Sequence, residues 1–247
     1  MDEKMKSYRQ SHIKASVASL YETQFAERVD SLIWDDFVKP WLFQRLHTAH
    51  QTGANRYLDF ACGTGRILKV GHKVFDNATG IDISESMLSY ARNRVPDANL
   101  YCLDVTREDD STNEIGTFDC VTMFRFLRNA EPELRRGVLH WLAKHMEKDA
   151  VLVVNNHGNT TSFLGFIQKL AFWLPDEERN LLSRQQTFDL LTEAGFSVES
   201  WDGYRILPSV FGRPILGRRL QTKVERFCRL LGLARFGGEL VIVARRS

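Results

Sequence analysis

The stretch YLDFACGTGRIL at residues 57–68 constrains this chain more than any other. It reads as a buried strand, a glycine-containing turn and the start of a helix. Glycine has no Cβ, so the backbone there can approach a ligand closely. The helix N-terminus adds unpaired N–H groups and a partial positive charge. Such a turn suits a carboxylate or a phosphate. Two features narrow the ligand. A dinucleotide loop carries G-x-G-x-x-G, but here Gly63 and Gly65 are followed by Leu68 where the third glycine would stand. Asp59 also closes the strand just ahead of the loop. A carboxylate aimed into the turn repels a pyrophosphate and favours a ligand carrying an ammonium group.

The surrounding pattern sets the fold class. Apolar runs at 56–61, 78–83, 99–105, 118–124 and 150–156 read as strands. Helical patterns separate several of them: 66–75, a helix capped by Ser84, and one opened by Pro132 with Leu134, Val138, Leu142 and Met146 on its apolar stripe. This alternation argues for an α/β protein with a parallel sheet. A short helix at 187–195, a sixth strand at 196–201, a basic helix at 214–232 and a last strand at 238–245 complete the chain. Residues 1–50 read as helical. Ile33, Phe37 and Trp41 lie four apart on one face, and Pro40 kinks or restarts the helix. This segment is a candidate cap over the site, with residues 51–247 as the main domain.

Downstream, GIDIS puts Asp82 at the end of the second strand, 23 residues after Asp59. An acid about 20 residues past a glycine loop is placed to bind ribose hydroxyls. LDV puts Asp104 at the end of the third strand. Three carboxylates thus close three successive strands, on the edge where open α/β sheets bind ligands.

DFACGTG, GIDIS and LDV together resemble motifs of the class I S-adenosylmethionine-dependent methyltransferases. The resemblance covers residues 55–157 well and 195–245 more loosely. It implies a Rossmann-like, mostly parallel seven-stranded sheet with helices on both faces and an antiparallel last strand. It implies S-adenosylmethionine as cofactor. Ala61, Gly63 and Gly65 would lie against its amino-acid end, and Asp59 would help hold its ammonium. Asp82 would take the ribose hydroxyls, with Ile83 on the adenine. Asp104 would bind the adenine amino group, with Val105 beside it, and Phe124 would line the cofactor. Residues 159–186 and 203–235 fall where such proteins elaborate the acceptor site.

The acceptor side is less determined. His157, just past the fifth strand, is either a general base or a loop histidine bonded to backbone. Arg125 either grips an acidic acceptor by a forked pair of hydrogen bonds or forms a surface ion pair. Arg128 and Asn156 are further candidates for acceptor contact. His12 and Tyr21 could reach the site from the cap. The apolar run 163–174 is core packing or one wall of a greasy cleft. The basic stretch 213–235 has Glu225 as its one acid. It is a solvated face, or a docking face for an anionic substrate or membrane surface.

Charge and composition favour a small-molecule acceptor, which could be aromatic, lipid-like or lipid-linked. Thirty-three basic against 31 acidic residues give a net charge of +2, too balanced to point to nucleic acid. Cys62, Cys102, Cys120 and Cys228 form no CxxC pair and have no zinc spacing, so no metal is expected. The first three are expected as buried free thiols, consistent with a reducing cytoplasm. No run is long and apolar enough to span a bilayer, and the N-terminus lacks the apolar core of a secretion signal. The expected activity is methyl transfer. The alternatives are a non-catalytic S-adenosylmethionine-binding partner subunit and an NAD(P)-dependent oxidoreductase.

Overall fold

Side chains alternate along the first strand and divide the interior into two cores. In β1 (Arg56–Phe60), Leu58 and Phe60 pack into one cluster and Tyr57 into the other. In this computed structural model, residues 29–107, 115–163, 165, 180–210 and 212–247 are described. Beside β1 lie β2 (Asn77–Asp82), β3 (Asn99–Cys102), β4 (Phe118–Met123) and β5 (Met146–Asn156), all in parallel. β6 (Phe196–Tyr204) joins through β9 (Glu239–Arg246), which runs antiparallel to both β5 and β6. The sheet order is β3-β2-β1-β4-β5-β9-β6, seven strands with one antiparallel member, as expected. A two-stranded ribbon, β7 (Ser209–Val210) with β8 (Arg213–Pro214), was not anticipated.

One face of the sheet is covered by α1 (Val29–Ile33), a π turn at Trp34–Val38, and α2 (Lys39–Gln51). The π turn ends two residues before Pro40, whose missing N–H and bulky ring disfavour a regular α turn there. The short helix α3 (Leu68–Gly71) lies on the same face. The helix α5 (Pro132–Lys144) covers the other face, with Leu191 of α6 (Arg184–Glu193) in the same cluster. Ser84 caps α4 (Glu85–Arg94), accepting from the Met87 amide, and Pro132 sits in the first turn of α5, both as predicted. The basic helix is α7 (Arg218–Leu230).

Three sequence expectations need correction. The helix expected over 66–75 is regular only at Leu68–Gly71, because Gly71 and His72 interrupt it; hydrogen-bonded turns continue to Phe75. β3 ends at Cys102, so Asp104 lies in the turn beyond the strand rather than at its end. Cys102 is exposed rather than buried because β3 is an edge strand, whereas Cys62 and Cys120 are buried. His12, Tyr21 and most of 163–174 lie outside the described residues.

Gly71 sets the position of Tyr57. A Cβ at Gly71 would fall 2.0 Å from Tyr57 Cε1, inside the ring's own volume. The tyrosine ring stacks on Phe75 at 5.2 Å, and its hydroxyl lies 2.6 Å from Thr122 Oγ1. Overpacking a filled core costs about 1–3 kcal/mol. Gly71→Ala is therefore expected to lower the urea midpoint by a stability loss of that size. An unchanged midpoint would mean that Tyr57 has room to move.

Candidate functional site

Asp59 is 1% exposed at the carboxyl end of β1. Its Oδ1 accepts a hydrogen bond from Thr122 Oγ1 at 2.8 Å. Its Oδ2 is buried without a hydrogen-bond partner of good geometry among the described residues. Burial disfavours the charged form and pushes the Asp59 carboxyl up to about 7; the Thr122 hydroxyl opposes the shift and the neighbouring Asp82 adds to it.

The glycine turn bends immediately beyond. Ala61, Gly63 and Gly65 all have positive φ, at 55°, 54° and 78°. A Cβ at Gly63 would meet nothing within 4 Å, so this residue faces open space. A Cβ at Gly65 would meet Ala91 of α4 at 3.1 Å. The two glycines therefore do different work: Gly63 leaves the backbone open on one side, and Gly65 lets the turn close on a helix. Asp82 holds the turn in place. Its Oδ2 accepts from the Gly63 amide and its Oδ1 from the Ser84 amide, both at 2.9 Å. Arg94 ties the far side, donating to the Thr64 carbonyl at 2.8 Å.

Asp104 lies beyond β3, where its Oδ1 accepts from the Thr106 hydroxyl at 2.6 Å. A cavity of about 360 Å³ runs between Asp82 and Asp104, a size suited to part of a small ligand. Ala61, Asp82, Ile83, Asp104 and Val105 line it, joined by Phe126. Asp59, Gly63 and Gly65 lie beside this cavity and do not line it. Phe124 packs in the core on the opposite face of the sheet. Phe126, two residues on, is the aromatic that reaches the cavity. Phe126 and the wall from α5, Leu134 and Val138, were not anticipated; their place depends on how the chain leaves β4, which alternation within the strand does not fix.

A second cavity, of about 450 Å³, opens past β5 and includes Arg128, His157, Ser162 and Arg205 in its lining. His157 is 93% buried, and its Nδ1 has no partner among the described residues. Burial, then the charges of Arg125, Arg128 and Arg205, hold its pKa well below the usual imidazole value. It is neutral at physiological pH. Arg128 Nη1 reaches the His157 carbonyl at 3.5 Å. Asn156 is fully engaged in the fold: its Nδ2 donates to the Leu182 carbonyl and Thr187 Oγ1, and its Oδ1 accepts from the Gly158 amide.

Residues far apart in sequence complete this side. Arg125 and Arg205 flank Asp30 of α1 at 4.0 and 3.3 Å. Asn155 accepts from the Arg125 amide at 2.7 Å and donates to Glu239 at 2.6 Å. Arg125 and Arg205, just past β4 and β6, have φ of 57° and 61°. Left-handed backbone costs a non-glycine residue about 1–2 kcal/mol, and such strain concentrates at functional sites. Asp30, Arg205 and Glu239 carry no local sequence signal.

The raised Asp59 pKa has a stability consequence. Between about pH 4 and 7 the folded state keeps a proton that the unfolded state has released, so this group erodes stability as pH rises through that window. Asp59→Asn keeps the Thr122 hydrogen bond and removes the buried charge. We expect it to be more stable than the parent at about pH 8, by up to about 4 kcal/mol, with the difference shrinking near pH 4. Urea midpoints at the two pH values check this; a less stable variant at high pH would mean that Asp59 is well solvated.

Comparison with known proteins agrees with this geometry. Residues 58–149 match a family described as "Methyltransferase domain". A Streptomyces venezuelae enzyme named as an N,N-dimethyltransferase of dTDP-3-amino-3,4,6-trideoxy-alpha-D-glucopyranose is 35% identical over 101 residues, 41% of this chain and 42% of the relative. The chain spans about half the length of the curated relatives it matches. The crystal structure of magnesium protoporphyrin IX methyltransferase from Synechocystis PCC 6803, with bound S-adenosylhomocysteine, superposes with a TM-score of 0.58 at 16% identity, covering 94% of this chain and 99% of that one. An S-adenosylmethionine-bound amino pentose methyltransferase from Micromonospora echinaspora gives 0.58 at 18% identity, covering 92% and 97%. Residues 58–149 thus match a methyltransferase domain in sequence, and the seven-stranded sheet around them has the fold of S-adenosylmethionine-dependent methyltransferases of known structure.

Proposed function

We propose that this chain transfers a methyl group from S-adenosylmethionine to a small-molecule acceptor bearing an anionic group. The observation that carries the cofactor reading is the pairing of a buried carboxylate oxygen lacking a good partner, Asp59 Oδ2, with an adjacent turn whose Gly63 faces open space. An ammonium group fits the first, and close backbone approach fits the second. Asp59, Ala61, Gly63 and Gly65 would receive the amino-acid end, with Phe124 behind them. Asp82 would take the ribose hydroxyls, and Ile83, Asp104 and Val105 the adenine. When bound, the cofactor supplies a methyl group already activated on a sulfonium. The protein's task is then to align the acceptor, and positioning alone is worth up to about 7–11 kcal/mol in favourable cases.

The second cavity is the proposed acceptor site. Arg128 and Arg205 would hold the anionic group. Neutral His157 would receive a proton from the acceptor if one must leave. Arg125 would position the wall through Asp30 and Asn155, and Asn156 would brace the loop. The amino-sugar substrate named for the Streptomyces relative joins an amine to an anionic nucleotide, which is the acceptor chemistry proposed here. The balanced net charge supports a small molecule over nucleic acid. No described helix is long and apolar enough to cross a membrane. All four cysteines are free, which supports a reducing, cytoplasmic setting. Residues 1–50 would act as a cap on a domain of 51–247, with α1 closing the acceptor side.

Titration calorimetry with S-adenosylhomocysteine and with NAD tests the cofactor. We expect only the first to bind. Asp82→Ala and Gly63→Val should each weaken it at least tenfold, about 1.4 kcal/mol. Binding of NAD alone, or unchanged affinity in both variants, would overturn the assignment. His157→Gln should lower turnover on an acceptor found by S-adenosylhomocysteine release by about a hundredfold or more, leaving cofactor affinity intact. Normal turnover would remove His157 from the reaction.

A further inference from the structure

The helix α7 is packed inside out. The face it turns inward is polar: Gln221 and Glu225 are each 1% exposed and Thr222 is 9% exposed. Each has a defined bond. Gln221 Oε1 accepts from the Ile215 amide at 2.8 Å, Thr222 donates to Asp36 at 2.7 Å, and Glu225 accepts from the Ile206 amide at 2.9 Å. The outward face is apolar. Leu220, Phe227, Leu230 and Leu231 are 52, 59, 85 and 60% exposed, and Ile215 and Leu216 just ahead of the helix are 50 and 43% exposed. Leu220, Phe227 and Leu231 follow the i, i+7, i+11 spacing of one helical stripe. Arg219, Lys223 and Arg226, all exposed, run along one flank of it. Between residues 206 and 238 the single acid is Glu225, and it is buried.

Single exposed apolar residues are ordinary, but a contiguous set on one helix marks a surface that meets something else. We propose that this face docks on an anionic lipid bilayer, with the leucines and Phe227 entering the headgroup boundary and Arg219, Lys223 and Arg226 against lipid phosphates. A strong apolar face flanked by Lys and Arg is the pattern of helices that lie in the membrane interface. Charge decides against a second copy of the chain as occupant. A symmetric contact would set the same cations against one another, with no exposed acid on the stretch to offset them. The docking face also adjoins the acceptor side: Arg218 of α7 pairs with Asp35 at 3.0 Å and with Ser31 of α1 at 3.1 Å, and α1 carries Asp30. The inference stands on exposure and charge and does not rest on the methyl-transfer reading.

Cosedimentation of the full chain with phosphatidylcholine vesicles, with and without phosphatidylserine, tests it. We expect binding to the phosphatidylserine vesicles, weakened more than tenfold by the triple change Leu220→Ser, Phe227→Ser, Leu231→Ser, and weakened also by Arg219→Glu with Lys223→Glu or by added salt. Both sets of variants should keep the parent's affinity for S-adenosylhomocysteine, which separates this outcome from failure of the cofactor assignment. No binding to phosphatidylserine vesicles, or equal binding by the triple variant, would overturn the proposal. So would light scattering that shows a dimer abolished by the triple change.

Discussion

The site depends on one costly placement, the carboxylate of Asp59 held inside the protein at the end of β1. Water would solvate that group far better than the interior does, so the fold must hold it there. Gly71 leaves space for Tyr57, Tyr57 meets Thr122, and Thr122 donates to Asp59. A second carboxylate, Asp82, clasps the Gly63 amide and keeps the turn open beside it. Each acid serves differently. Asp82 spends both oxygens on backbone amides and fixes shape, whereas Asp59 keeps one oxygen poorly satisfied. A buried group in that condition lowers stability and gains from a cationic ligand.

The proposed acceptor side follows the same logic with opposite sign. Arg125, Arg128 and Arg205 surround a neutral imidazole, and Asp30 and Glu239 offset part of the cationic charge. Burial pushes the Glu239 carboxyl up, so its offset is reduced. Strands β4, β5 and β6 deliver the arginines and the imidazole to one edge, and two of the arginines occupy strained backbone. The helix α1 packs against this edge through Asp30, and the Trp34 ring of the π turn that follows lies 5.4 Å from the Arg66 guanidinium of the glycine turn. Both halves of the site therefore share one cover, and α7 leans on that cover through polar contacts.

Much of the geometry around the glycine turn was legible in the sequence because its information is local. A glycine turn after a strand, and acids at set distances downstream, mark the ligand edge without knowledge of packing. The seven-stranded, mostly parallel sheet and its antiparallel last strand came from resemblance, and the structure has them. Legibility failed where local rules stop. Alternation ends with β4, so it could not show that Phe126, two residues past the Phe124 to which the resemblance points, lines the cavity. Asp104 was expected at a strand end and lies in the turn after it. Asp30, Arg205 and Glu239 meet only because the sheet brings together residues about 200 positions apart, which periodicity cannot show. The basic character of α7 was plain in the sequence, but which face it buries was not. Gln221, Thr222 and Glu225 turn inward because backbone amides and Asp36 wait there for partners.

The most direct measurement is the proton count of cofactor binding. An Asp59 with a pKa near 7 is mostly protonated at about pH 6 and must ionise to pair with an ammonium group. Calorimetric titrations of S-adenosylhomocysteine in buffers of different ionisation enthalpy read that proton. The account predicts release of close to one proton per cofactor at about pH 6, fading at about pH 8 and absent in Asp59→Asn. Tight binding with no proton released at the lower pH would contradict it, because the buried carboxylate would then not meet the cofactor's ammonium.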